Sequence, residues 1–270
     1  MAFYIVKPWY KKSSGPTYQG IWVPKTWSGL LSFEGSNIWT DGTDIYHSSG
    51  LSSTQYVLVK STSTWSRKTW SGLTDISANC VWTDGENIYY SMGSTQYVLN
   101  KATSTWTGKA WSGLTSFDGS NIWTDGTYMY LSYRRTASTY AHYVLSDPSS
   151  GKWTSKTWQG LTNINASKVW TDGTDTYYSN GVNQFVLDKA TSTWTAKAWS
   201  GIERVDGKYI WTDGTDIYYS LSTDQYVLDK AISTWSQKTW QGLTDFSGSN
   251  VWKDGDHIYY SENYTQYELT

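Results

Sequence analysis

Arg134 and Arg135 stand side by side, flanked by Tyr133 and Tyr140. A guanidinium is a planar fork of donors that holds a carboxylate or phosphate through two parallel hydrogen bonds, and tyrosines add rigid contact area. A second charged run, Glu203-Arg204-Val205-Asp206-Gly207-Lys208, carries both signs of charge in six residues. Tryptophans beside Ser or Gln and Gly, at Trp27, Trp70, Trp111, Trp158, Trp199 and Trp240, have the chemistry of a sugar-stacking ring if exposed and of core packing if buried. Asp41, Asp84, Asp125, Asp172, Asp213 and Asp254 each precede Gly, which is turn chemistry. The clustered carboxylates of a calcium loop are missing. His47, His142 and His257 have no acidic pair beside them. The lone Cys80 permits no intramolecular disulfide and no cysteine-based metal site, and reads as a small buried hydrophobe. The expectation is binding without a metal or cofactor, and no catalysis.

The elements that position these residues follow from an internal repeat. Trp-Thr-Asp-Gly begins at Trp39, Trp82, Trp123, Trp170 and Trp211, and Trp-Lys-Asp-Gly begins at Trp252, at spacings of 43, 41, 47, 41 and 41 residues. The Trp27 set lies twelve residues ahead of these, and a third set (Trp22, Trp65, Trp106, Trp153, Trp194, Trp235) precedes it by five. Only Trp9 of the 19 tryptophans falls outside the pattern.

Within residues 208–240, four short segments rich in aromatic and β-branched residues read as strands a to d. They are Tyr209-Ile210-Trp211-Thr212, Ile217-Tyr218-Tyr219, Gln225-Tyr226-Val227-Leu228 and Thr234-Trp235-Ser236. Asp213-Gly214 supplies the a–b turn. No apolar pattern of period 3.6 runs long enough for a helix. Six four-stranded sheets arranged radially give an all-β, six-bladed β-propeller over residues 18–270. The last unit supplies only strands a, b and c, and the segment Gly20–Trp27 carries the missing strand d. The N-terminal strand is therefore expected to complete the C-terminal blade. Residues 1–17, with Trp9, stand outside the repeat as an extension suited to an assembly partner.

Composition narrows the function. With 21 basic and 23 acidic residues the chain has no basic excess for phosphate backbones, so nucleic acid is not an expected partner. There is no apolar run of membrane-spanning length, and the N-terminus does not read as a signal peptide. Aromatic residues reach 17%, which points to an aromatic core.

The segment Val227-Leu228-Asp229-Lys230-Ala231-Ile232-Ser233-Thr234-Trp235 resembles the kelch signature, in which a hydrophobic residue and Asp precede a strand-d Trp. Ile217-Tyr218-Tyr219 resembles the kelch strand b, and the likeness recurs through about residues 18–270. The usual diglycine is reduced to one Gly at Gly93 and Gly181 and is absent after Tyr219, and the usual strand-c Tyr is Leu at Leu187 and Leu228. The repeat is kelch-like. The density of Trp, Tyr, Ser and Thr also resembles repeat proteins of bacteriophages and bacteria, which implies a virion-associated or cytoplasmic location. Propeller sialidases carry Ser-x-Asp-x-Gly-x-Thr-Trp boxes, and no unit here matches.

Departures from the repeat are the best guide to a site. From strand b to the strand-c Gln, four blades use six residues, the first uses eight (His47 to Gln55), and the third uses eleven (Leu131 to His142). Strands alternate in direction, so the b–c and d–a loops share one face. The ligand-binding candidates on that face are Tyr133, Arg134, Arg135, Tyr140, His47, Glu203, Arg204 and Lys208. The expected function is a non-enzymatic recognition module for a glycan or protein ligand, in the manner of a phage receptor-binding protein. The alternative is a structural decoration or assembly protein.

Overall fold

The computed structural model describes residues 19–48, 54–135 and 139–270. It is all-β: six sheets, each built on four antiparallel strands, form a closed ring. Blade 5 is typical, with strands Ile210–Thr212, Ile217–Leu221, Asp224–Asp229 and Thr234–Gln237 in the order a, b, c, d. The inner strand b is buried on both faces, as at Ile45–Ser48, because each sheet is covered by a neighbour on either side.

The ends of the chain close the ring as expected. Strand Trp22–Pro24 pairs with Thr265–Leu269 in the register Trp22↔Leu269, Val23↔Glu268 and Pro24↔Tyr267. Proline suits this place, since the outer edge of a sheet does not require its missing N–H. Trp22 is buried within the cluster that holds Trp211, Trp240, Phe246 and Leu269. At the opposite, inner edge, six 3-10 turns precede strand a: Gly35–Asn37, Ala78–Cys80, Gly119–Asn121, Ala166–Lys168, Gly207–Tyr209 and Gly248–Asn250. Each touches the next, and the last touches the first.

Three tryptophan sets make the core between blades. The strand-a indole stacks on the first Tyr of strand b, at 4.4 Å for Trp39 and Tyr46. Its Nε1–H donates to the strand-b Ser in all six blades, from Trp39 to Ser48 at 2.8 Å through Trp252 to Ser261 at 2.9 Å. The buried serines of strand b are therefore paired. The recurring Asp is a turn residue that also reaches the core. Asp213 Oδ1 accepts the N–H groups of Thr215 and Asp216 at 2.7 and 2.8 Å, and Oδ2 accepts the Tyr218 hydroxyl at 2.9 Å. Burial and these carboxylates push the Tyr46, Tyr130 and Tyr218 phenols well above their ordinary range, so they stay protonated donors. Cys80 is buried, and its thiol is pushed up to about 12 mainly by that burial.

Candidate functional site

The b–c and d–a loops meet on one face, and hydrogen bonds join them. Phe33 N–H donates to Asn263 O at 2.9 Å, Phe117 N–H to Gly93 O at 2.9 Å and Phe246 N–H to Ser222 O at 3.2 Å, so these d–a connections are tied to the preceding b–c turn. The strand-c Gln completes the tie. Gln96 Nε2 donates to Gly93 O at 2.6 Å and to Phe117 O at 3.1 Å. In blade 3 His142 takes this place, with Nε2 against Thr162 O at 2.7 Å and Nδ1 against Ser132 Oγ at 2.9 Å. Its pKa is lowered by burial. The scaffold under this face is uniform, so variation above it is local.

Five of the six candidate stacking tryptophans are core residues. Trp27, Trp70, Trp111, Trp158 and Trp240 are only 3–5% exposed. The glycine two residues on brings each of these rings against the next blade, and the side chains of the connection cover it. Gly113, at φ +78°, lies so close to the outer strand of the next blade that a Cβ would be 2.0 Å from Trp153 O. That approach presses Trp111 edge-on against Trp153, with centroids 6.1 Å apart. A lysine covers it from outside, with Lys109 Nζ 4.7 Å from the ring centre. These rings have no face to offer a sugar, which corrects the stacking expectation for them.

Trp199 is the exception. It keeps the same framework, with Gly201 at φ +79° against Trp235 O and Lys197 Nζ 4.7 Å over its ring. It is nevertheless only partly buried and lines an open cleft of about 980 Å³ between blades 4 and 5. Four substitutions against the repeat meet there. Val205 is smaller than Phe33, Ile76, Phe117, Ile164 and Phe246 at the equivalent places, so it fills less of the space beside the indole. Glu203-Arg204 replaces short neutral or singly acidic pairs such as Thr115-Ser116 and Thr244-Asp245. Tyr209 stands where the other units have Asn, Cys or Lys.

The cleft walls are thus Trp199, Tyr209 and Tyr226 with Glu203, Arg204 and Asp224. Asp206 also lines it, ion-paired to Lys168 and accepting the Lys208 N–H at 3.1 Å. Lys208 Nζ lies 4.9 Å over the Tyr209 ring. Tyr219, at the buried base, has its phenol pushed up to about 12 by burial first and the carboxylates of Asp206 and Asp224 second. The run Glu203–Lys208 was visible in the sequence. Trp199 was also a sequence candidate, as one of the six stacking tryptophans; the partners Tyr209, Asp224 and Tyr226 come from the geometry, though Tyr209 and Val205 break the repeat and so carried a signal.

The Arg134–Arg135 pair is arranged differently. The third-blade strands Met129–Arg134 and Tyr140–Leu145 form a long hairpin in which Tyr133 pairs with Ala141 and Arg134 with Tyr140. Side chains alternate across a strand, so adjacent arginines project to opposite faces. Arg135 Nη2 donates to the Tyr143 hydroxyl at 3.1 Å, and Tyr143 lies parallel to Tyr133 with ring centres 6.3 Å apart. Tyr140 instead lies parallel to His142 on the other side, at 6.3 Å. Arg135 thus stands on the Tyr133–Tyr143 side of the hairpin. Residues 136–138, and residues 1–17 with Trp9, lie outside the described residues.

His47 is not presented to a ligand. It is buried in strand b at 4% exposure, edge-on to Phe33 and Trp65. Neither ring nitrogen has a hydrogen-bond partner, and burial lowers its pKa to about 4. Four other blades have tyrosine at this place: Tyr90, Tyr178, Tyr219 and Tyr260.

No protein-family model matches the chain, and no curated protein matches it.

Proposed function

We propose that this protein is a non-enzymatic recognition module that binds a glycan or protein ligand through the b–c/d–a face, with the cleft between blades 4 and 5 as its seat. One observation carries the reading: of six equivalent tryptophans five are buried, whereas Trp199 is partly exposed and lines a cleft where charged and aromatic residues replace the repeat. Rigid scaffolds commonly place binding groups on variable connections. The histidines support a non-catalytic reading, since His142 bridges Ser132 and Thr162, His47 is sealed in the core, and His257 pairs with Glu268 at 2.7 Å on another blade. The kelch-like spacing and phage-like composition suggest a virion-associated receptor-binding role.

The test is a screen of immobilised glycans and displayed peptides against the wild type, Arg204→Ala, and the double variant Arg134→Ala/Arg135→Ala. Binding lost in Arg204→Ala supports the cleft. Binding lost only in the double variant moves the site to the third-blade hairpin. No binding to either panel favours an assembly protein.

A further inference from the structure

The cleft between blades 4 and 5 has a chemistry specific enough to name its ligand class. We infer that it is a subsite for neutral saccharide, taking an extended chain of hexose-type rings; this rests on the recognition reading above.

The volume is the first consideration. About 980 Å³ lies at the upper end of small-ligand sites, and the cleft is open along its length. It suits a chain of several rings better than a single small molecule. The walls come next. Trp199, Tyr209 and Tyr226 are partly exposed and line it together; lysines lie over the Trp199 and Tyr209 rings, so the cleft offers the apolar surface these side chains leave uncovered, with polar edges. A pyranose presents the complementary surface, with C–H groups on its faces and hydroxyls around its rim.

Each sugar hydroxyl both donates and accepts, so it needs partners of both kinds. Glu203 and Asp224 are acceptors on exposed rims, and Arg204 supplies a rigid fork of donors. Gly181 leaves room at the fork: a Cβ there would stand 4.0 Å from Arg204 Nε and Nη2. The charge is mixed. Glu203, Asp206 and Asp224 stand beside Arg204 in the lining, with Lys168 paired to Asp206 and Lys197 and Lys208 over the Trp199 and Tyr209 rings. Charges of both signs interspersed in this way favour neither sialylated or sulfated chains nor basic peptides.

The backbone argues against an extended peptide. A peptide adding as a strand needs a free sheet edge. The outer strand of blade 5 is covered where the cleft's own connection crosses it, with Trp235 N–H donating to Ser200 O at 2.9 Å and Ser200 N–H to Ser233 O at 3.1 Å. Recognition here therefore runs through side chains, as a saccharide requires.

The deciding experiment compares the wild type, Val205→Phe and Arg204→Ala on an array of neutral, sialylated and sulfated glycans and on a displayed-peptide library, followed by calorimetric titration of any hit. Val205→Phe installs the residue that blades 1, 3 and 6 use, and so fills the cleft with a side chain the scaffold already accepts. Its thermal melt is checked first; should it fail to fold, Arg204→Ala and Tyr209→Asn decide. The expected result is binding of neutral oligosaccharides, abolished by Val205→Phe and weakened about tenfold by Arg204→Ala, the scale of one lost charge-assisted hydrogen bond. Neutral-glycan binding that all variants retain overturns the cleft as the subsite. Binding only of anionic glycans or peptides, lost in Val205→Phe, overturns the saccharide class but leaves the recognition reading standing. No binding in either panel overturns both.

Discussion

The connection from blade 4 to blade 5 and that from blade 3 to blade 4 take the same approach to the next blade, but the former adds a short strand, Val205–Asp206, on strand Thr176–Gly181, and the two differ in what they cover. Gly160 and Gly201 both lie against the outer strand of the next blade, at 2.0 and 1.9 Å for a hypothetical Cβ. Trp158 and Trp199 both take a lysine over the ring and a tryptophan at the edge. Yet Trp158 is buried beneath Leu161 and Ile164, whereas Trp199 shares a cleft with Ile202, Arg204 and Val205. The scaffold is thus insulated from the surface above it. Changes in a few side chains of one connection open a site without moving the strands.

That insulation predicts how the two connections respond to mutation. The largest effect is expected for Trp158→Ala, about 4 kcal/mol of lost stability, with roughly half as much for Trp199→Ala. Denaturant unfolding measures both, and equal losses would mean that Trp199 is as sealed as its counterpart. Next come Gly160→Ala and Gly201→Ala. Each forces a Cβ into a carbonyl oxygen and imposes a positive φ, so both should cost about 3 kcal/mol and by similar amounts. A Gly201→Ala cost below about 1 kcal/mol would show that the fifth connection has loosened its backbone as well.

A third comparison sets blade 1 against the tyrosine-bearing blades. The folded pKa of His47 is lowered to about 4 from 6.5, so the fold favours the neutral ring. The unfolded chain takes up the proton first as pH falls. The stability His47 contributes is whole above pH 6.5 and is lost as pH drops toward 4, by roughly 3 kcal/mol in total. His47→Tyr, which restores the residue of four other blades, should flatten the melting temperature across that window. An unchanged pH profile would assign the loss to other groups. The smallest effect is expected at the rim of the opposite face. Lys230 Nζ donates to Asp172 O at 2.9 Å across a blade boundary but is well exposed, so Lys230→Ala should cost less than about 1 kcal/mol in thermal melts.

The fold was legible because the tryptophans that specify it recur at fixed intervals, and a period near 41 with strand-type segments leaves few architectures. Even the joining of the chain ends was readable, since strand d was missing at one end and present at the other. The site was legible in part. Glu203, Arg204 and Lys208 stood out as departures from a neutral repeat; the structure places the first two in the cleft wall and the third over the ring of Tyr209, itself a wall residue. The special status of Trp199 was hidden, because Trp-Ser-Gly reads alike in several units and exposure depends on neighbours such as Val205. His47 looked accessible because it sits next to a long loop, whereas its own position belongs to the buried strand.

Ring closure also sets a schedule for synthesis. Trp22 and Leu269 pair directly although 247 residues separate them. At about 5–20 residues per second, Trp22 leaves the ribosome roughly 10–50 s before its partner exists. Blades 1 to 5 each contain all four of their own strands and are free to assemble in order during that time. Blade 6 cannot. Its outer strand, with an indole that ends 1% exposed, must wait unpaired as the first piece made and the last to be placed.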